Sequence, residues 1–103
     1  ELSCPQLGSV GGSLLIGLND DLVDLSFPQL ETVEGDLLVS ANGSLAELDA
    51  LHGVTLTWGQ LYIANNPNIS DCEVLDLWQN TSFENEDYDV MPVTEEEAIA
   101  CYS

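Results

Sequence analysis

The chain has 103 residues, with 19 Asp and Glu, one His and neither Lys nor Arg, giving a formal net charge of −19. An average domain carries ~25% charged residues of both signs, so the missing cations exclude a basic footprint for nucleic acid or anionic lipid and any Lys/Arg salt bridge. Disorder is excluded as well, because 45% of the residues are hydrophobic and the carboxylates are interleaved with aliphatic side chains.

Taken from its start, the chain opens at Glu1 with neither Met nor a signal peptide, which reads as a processed N-terminus. No stretch approaches the ~20 apolar residues of a membrane span. A single small domain over residues 1–103 is expected, with a core marginal enough that cross-links help. Residues 1–11 read as an incomplete N-terminal coil, since Leu7 and Val10 correspond to Leu30 and Val33, and Cys4 corresponds to Phe27. Two arrangements suit this end. Either residues 1–11 fold over it, or a neighbouring subunit docks there with Cys4 in an intermolecular disulfide; otherwise Cys4 is a free thiol.

Residues 12–70 carry a repeat of roughly 23–24 residues, whose copies open at Gly12, Gly35 and Gly59. The pattern G-x-L-x-[IV]-x-x-N-x-x-[LI] reads Gly12, Leu14, Ile16, Asn19, Leu22 in the first copy. Gly35, Leu37, Val39, Asn42, Leu45 form the second, and Gly59, Leu61, Ile63, Asn66, Ile69 the third. Leu25, Leu48 and Cys72 make a further row, as do Phe27, Leu51 and Leu75, with the extra residue of the longer period at Asp49–Ala50. Alternation at 14/16, 37/39 and 61/63 predicts strands with one buried face. One copy cannot bury its apolar edge alone, so the expected fold is a repeat solenoid, a short parallel β-helix of stacked coils. The Asn row is expected to point inward and satisfy backbone groups freed where the chain turns.

Beyond residue 70 the character changes. Ser70-x-x-Glu73 and Thr94-x-x-Glu97 read as capping boxes, predicting helices over about 71–79 and 95–101 joined by an acidic loop. Residues 71–103 thus form an acidic, partly helical C-terminal cap. A Cys72–Cys101 disulfide, preferred among the pairings that three cysteines allow, would lock it.

The stretches L-S-F-P-Q-L-E-T-V-E-G-D-L-L-V at 25–39, L-A-E-L-D-A-L-H-G-V at 45–54 and G-Q-L-Y-I-A-N-N-P-N-I at 59–69 resemble the receptor L-domain. That leucine-rich-repeat-like solenoid occurs in the insulin and EGF receptor ectodomains, with related repeats in fungal cell-wall and microbial surface glycoproteins. The resemblance spans roughly residues 7–77 and implies a right-handed parallel β-helix, an extracellular location and no catalysis. A full L-domain has more coils than the three here, and the N-terminal coil is incomplete.

Several residues are candidates for function. Leu15, Leu38 and Tyr62 fall in one outward strand column, an apolar stripe suited to contact. Three sequons begin at Asn42, Asn68 and Asn80; the inward row makes Asn42 the weakest glycan acceptor and leaves Asn68 and Asn80 as the expected sites. Asn85, Asp87, Asp89 and Glu96 match positions 1, 3, 5 and 12 of a calcium loop, but Val90 replaces the required Gly and Pro92 interrupts it, leaving only loose calcium binding. His52, the lone histidine, reads as a solvent-facing turn residue. With no nucleophile elbow, phosphate loop or His/Cys metal spacing, no catalytic residue is expected, and no cofactor beyond N-linked glycans.

These features point to a non-enzymatic extracellular glycoprotein module, a building block that self-associates or joins a surface assembly through its N-terminal end or strand face. The alternative is an L-domain fragment that recognises a protein or glycan on that face. Expected partners are therefore copies of itself, other surface proteins or a glycan, without nucleic acid or membrane insertion.

Overall fold

A computed structural model describes residues 2–101. Its strands and α-helices run in the order β1 (Leu2–Ser3), β2 (Ser9–Val10), β3 (Leu14–Gly17), β4 (Leu25–Ser26), β5 (Thr32–Val33), β6 (Leu37–Ser40), β7 (Thr55–Leu56), β8 (Leu61–Ala64), α1 (Asp71–Gln79), β9 (Ser82–Phe83) and α2 (Glu95–Cys101). The strands form three parallel sheets: β1–β4, β2–β5–β7–β9 and β3–β6–β8.

The register of these sheets is the period of the sequence. Leu14 faces Leu37 and Leu37 faces Leu61, the same steps that separate Gly12, Gly35 and Gly59. Like therefore lies on like. Ile16 and Val39 are buried and Ile63 packs against the same core, while the residues between them point outward. A one-residue slip would turn every one of these aliphatics to solvent, so the register is strongly specified.

The additional residue in the longer period is absorbed by a 3₁₀ turn at Asp49–Leu51, where the preceding copy has β4. Leu51 still reaches the core, in line with buried Phe27 and Leu75. The neighbouring row departs from expectation at Cys72, which is exposed on α1 instead of continuing Leu25 and Leu48 inward. The interior there is filled from α1 by Leu75 and Leu77.

Residues 2–10 extend two of the sheets by a strand each. Leu2–Ser3 and Ser9–Val10 lie beside β4 and β5, one period on, because their alternating apolar residues meet the same rows. The stretch between the helices is not only an acidic loop. Ser82–Phe83 adds a fourth strand to its sheet, Phe83 alongside Leu56.

Each strand of the β3–β6–β8 sheet ends at a left-handed residue, Leu18, Ala41 or Asn65, all with φ 58°. Asn tolerates this conformation; Leu and Ala do so at a cost of about 1–2 kcal/mol each. The turn sets the next residue, always an Asn, inward.

The glycine row opens these strands because the backbones approach closely there. A Cβ on Gly59 would overlap the Gly35 carbonyl group, and one on Gly35 would meet Gly12 C at 2.9 Å, whereas one on Gly12 meets nothing within 4 Å. Gly59→Ala should therefore destabilise by about 2–4 kcal/mol through overpacking, and Gly12→Ala should stay within about 0.5 kcal/mol of the parent. Urea unfolding of the two variants measures this, and equal effects would refute the close-approach account.

Candidate functional site

The outward face of β3–β6–β8 carries the column expected from the alternation. Leu15, Leu38 and Tyr62 are register partners, with Leu15 64% and Tyr62 50% exposed and Leu38 half-buried between them. Leu18, 87% exposed at the left-handed turn, extends the apolar stripe. A polar ladder borders its other end. Ser13 Oγ accepts from Asp36 N at 3.0 Å, and Asp36 Oδ1 accepts from Gln60 N at 2.9 Å. Gly17, Ser40 and Ala64, in register with one another, keep the far border low.

Behind this face the Asn row is stacked into a hydrogen-bonded chain. Asn19 Nδ2 donates to Asn42 Oδ1 at 3.0 Å, and Asn42 Nδ2 donates to Asn66 Oδ1 at 2.9 Å. Asn42 Nδ2 also donates to the Ile16 carbonyl and Asn66 Nδ2 to the Val39 and Ala64 carbonyls. The Asn42 side chain is fully buried and both its amide hydrogens are used, so this sequon offers no free nitrogen in the folded chain. Asn68 is exposed. Asn80 is exposed too, but its Nδ2 donates to the Asp76 carbonyl at 2.8 Å, closing the end of α1.

The helices are tied together covalently: Cys72 and Cys101, 29 residues apart, form a disulfide with a Cα–Cα distance of 5.4 Å. Closing a loop of that length contributes about 3–4 kcal/mol on the chain-entropy account. Cys4 is a free, half-buried thiol packed against the core. Only the second capping box is complete, with Thr94 N donating to Glu97 Oε1 and Glu97 N to Thr94 Oγ1. In the first, Ser70 Oγ caps Glu73 N, but the Glu73 carboxylate turns away to accept from Leu48 N at 2.8 Å. It serves the neighbouring copy instead of its own helix.

The residues at the calcium-loop spacing make separate local contacts. Asn85 Oδ1 accepts from Asp87 N in a 3₁₀ turn, Asp89 Oδ1 accepts from Trp78 Nε1, and Glu96 sits in the first turn of α2. Among the described residues, the side chains grouped closely enough to hold one ion are Asp49, His52 and Glu73. His52 is thus not the solvent-facing residue expected from its turn. Its side chain is 25% exposed, and Nε2 is buried 3.7 Å from carboxylate oxygens of both Asp49 and Asp76. A signal for this grouping exists in the repeat, because Asp49 and His52 lie one period before Glu73 and Asp76.

Where the helices meet, the carboxyls of Asp71 and Glu97 perturb one another. The hydrogen bond to Glu97, with some desolvation and like-charge repulsion, holds the Asp71 carboxyl above its ordinary value. That same bond, helped by the Thr94 N–H and hydroxyl, holds Glu97 below its own. Asp71 therefore detracts from stability when ionised and ceases to do so as pH falls through its raised value. Glu97 acts oppositely: its contribution is present above the ordinary carboxylate range and is lost as pH falls through its lowered value.

Asp71→Asn should raise the melting temperature at neutral pH by removing the repulsion and keeping a donor to Glu97. The gain should shrink as pH falls into the range where Asp71 itself takes up the proton. Thermal melts across that range test this, and a loss at neutral pH would refute it. For the Asn chain, Asn42→Ala should cost about 2–4 kcal/mol by leaving buried partners unpaired, against about 1 kcal/mol or less for half-buried Asn19→Ala. Denaturant midpoints showing equal costs would contradict the ladder's central role.

In comparisons with known proteins, no family model, curated protein or solved structure matches the chain.

Proposed function

We propose that this chain is a leucine-rich-repeat-like, receptor-L-domain-like solenoid that works as a non-enzymatic extracellular building block. It self-associates, or joins a surface assembly, through the apolar column of Leu15, Leu38 and Tyr62. The observation that carries this reading is the register of that column: three large outward side chains are aligned across one parallel sheet, beside exposed Leu18. Contiguous apolar surface of this kind is characteristic of contact faces, whereas isolated exposed hydrophobes are not.

The solenoid reading is supported by strand offsets equal to the sequence period and by the parallel direction of every pairing. The Cys72–Cys101 disulfide is compatible with an oxidising extracellular compartment. Among the described residues no helix is long and apolar enough to cross a membrane. Exposed Asn68 and Asn80 are the glycan sites in this reading, with Asn42 excluded by burial.

A −19 subunit repels its own copies, so association must depend on screening. Size-exclusion chromatography with light scattering should give dimers or larger species at about 0.15 M salt, where the Debye length is about 8 Å, and dissociation at about 0.01 M. Leu15→Asp and Leu38→Asp should remain monomeric with unchanged circular dichroism. Association surviving both substitutions would remove the strand face as the interface. A parent chain that stays monomeric at every salt concentration would favour the recognition module.

A further inference from the structure

His52 is the only histidine in a chain without Lys or Arg, and the repeat encloses it in carboxylates. Asp49 and His52 flank the 3₁₀ turn, and Glu73 and Asp76 occupy the same two repeat positions on α1, one copy later. Each pair is spaced i, i+3, so both members project from one side of their turn.

The distances do not suit hydrogen bonding. Nε2 lies 3.7 Å from Asp49 Oδ1 and 3.7 Å from Asp76 Oδ2, beyond the ~2.7–3.2 Å of an N–H···O bond. This nitrogen is closed off from solvent and has no hydrogen-bond partner. Ligand atoms of Asp49, His52 and Glu73 all lie within 4.8 Å of one another. Donors held about 2.0–2.1 Å from one tetrahedral cation are about 3.4 Å apart, close to the 3.7 Å between His52 Nε2 and the Asp49 carboxylate.

Glu73 is also held in place. One of its oxygens accepts from Leu48 N, which leaves the carboxylate further acceptor capacity. Asp49 and His52 line one surface cleft, and Glu73 and Asp76 line another.

We propose that Asp49, His52 and Glu73 bind one divalent transition-metal ion of the zinc class. The imidazole nitrogen sets that class, since calcium and magnesium prefer all-oxygen shells. Bound there, the ion bridges the 3₁₀ turn and α1 and offsets the charges of the two carboxylates brought together there. This site does not depend on the strand-face reading.

The test uses the whole chain carrying Cys4→Ser, which removes the free thiol as a competing ligand. Its single histidine gives one set of ring signals in the proton NMR spectrum. Zinc chloride should shift those signals to saturation at one equivalent, and calcium chloride should leave them in place. Calorimetry should give one zinc per chain, with affinity reduced at least about tenfold by His52→Gln. Ring signals unmoved by excess zinc overturn the proposal, as does His52→Gln binding zinc as tightly as its parent. Should His52→Gln fail to fold, the NMR titration of the parent decides alone.

Discussion

The stacked amides of Asn19, Asn42 and Asn66 are the contact on which the remaining architecture depends. Each strand of the β3–β6–β8 sheet ends in a left-handed residue, which frees backbone groups at a point where the interior is otherwise aliphatic. The buried Asn42 amide meets this need in both directions, donating to the Ile16 carbonyl on one side and to Asn66 Oδ1 on the other. Neutral amides can do this because each carries both donor and acceptor; a carboxylate in the row would have no donor and would need a cation the chain does not possess. By holding the turns in register, the ladder also aligns the strands before them. That alignment puts Leu15, Leu38 and Tyr62 into one column.

Charge is the opposing constraint. Ten of the nineteen carboxylates lie after residue 70, in the part of the chain that carries both α-helices. Several are given local work. Glu97 completes a capping box, Asp89 accepts from Trp78, and Glu73 accepts from Leu48 N in the preceding copy. Asp71 and Glu97 meet as like charges across a helix pair that the Cys72–Cys101 disulfide keeps together. The covalent link therefore joins elements that bring two carboxylates together. His52, the sole histidine, is set among carboxylates from two copies.

Much of the fold is legible in the sequence because the period records what each residue faces. Gly35 and Gly59 mark close backbone approach, Leu37 and Val39 mark the buried face, and Asn42 marks the inward turn. The helices at Asp71–Gln79 and Glu95–Cys101 follow from capping residues that act within a few positions of themselves. Less legible are contacts made sideways between copies. Glu73 satisfies a local capping pattern yet is drawn to Leu48 N. Cys72 holds an interior repeat position yet lies exposed on α1. Ser82–Phe83 follows Thr55–Leu56 by more than one period, yet it joins their sheet.

The sequence by itself determined the parallel register, the composition of the core and the lack of any Lys or Arg to pair with its acids, because these rest on periodicity and composition alone. Only the tertiary structure decided the left-handed turns at Leu18 and Ala41, the diversion of Glu73 and the enclosure of His52 by Asp49, Glu73 and Asp76. A side chain's partners in the neighbouring copy depend on the rotation and spacing of the stack, on the scale of a bond length. The period fixes which copies meet, but not which atoms.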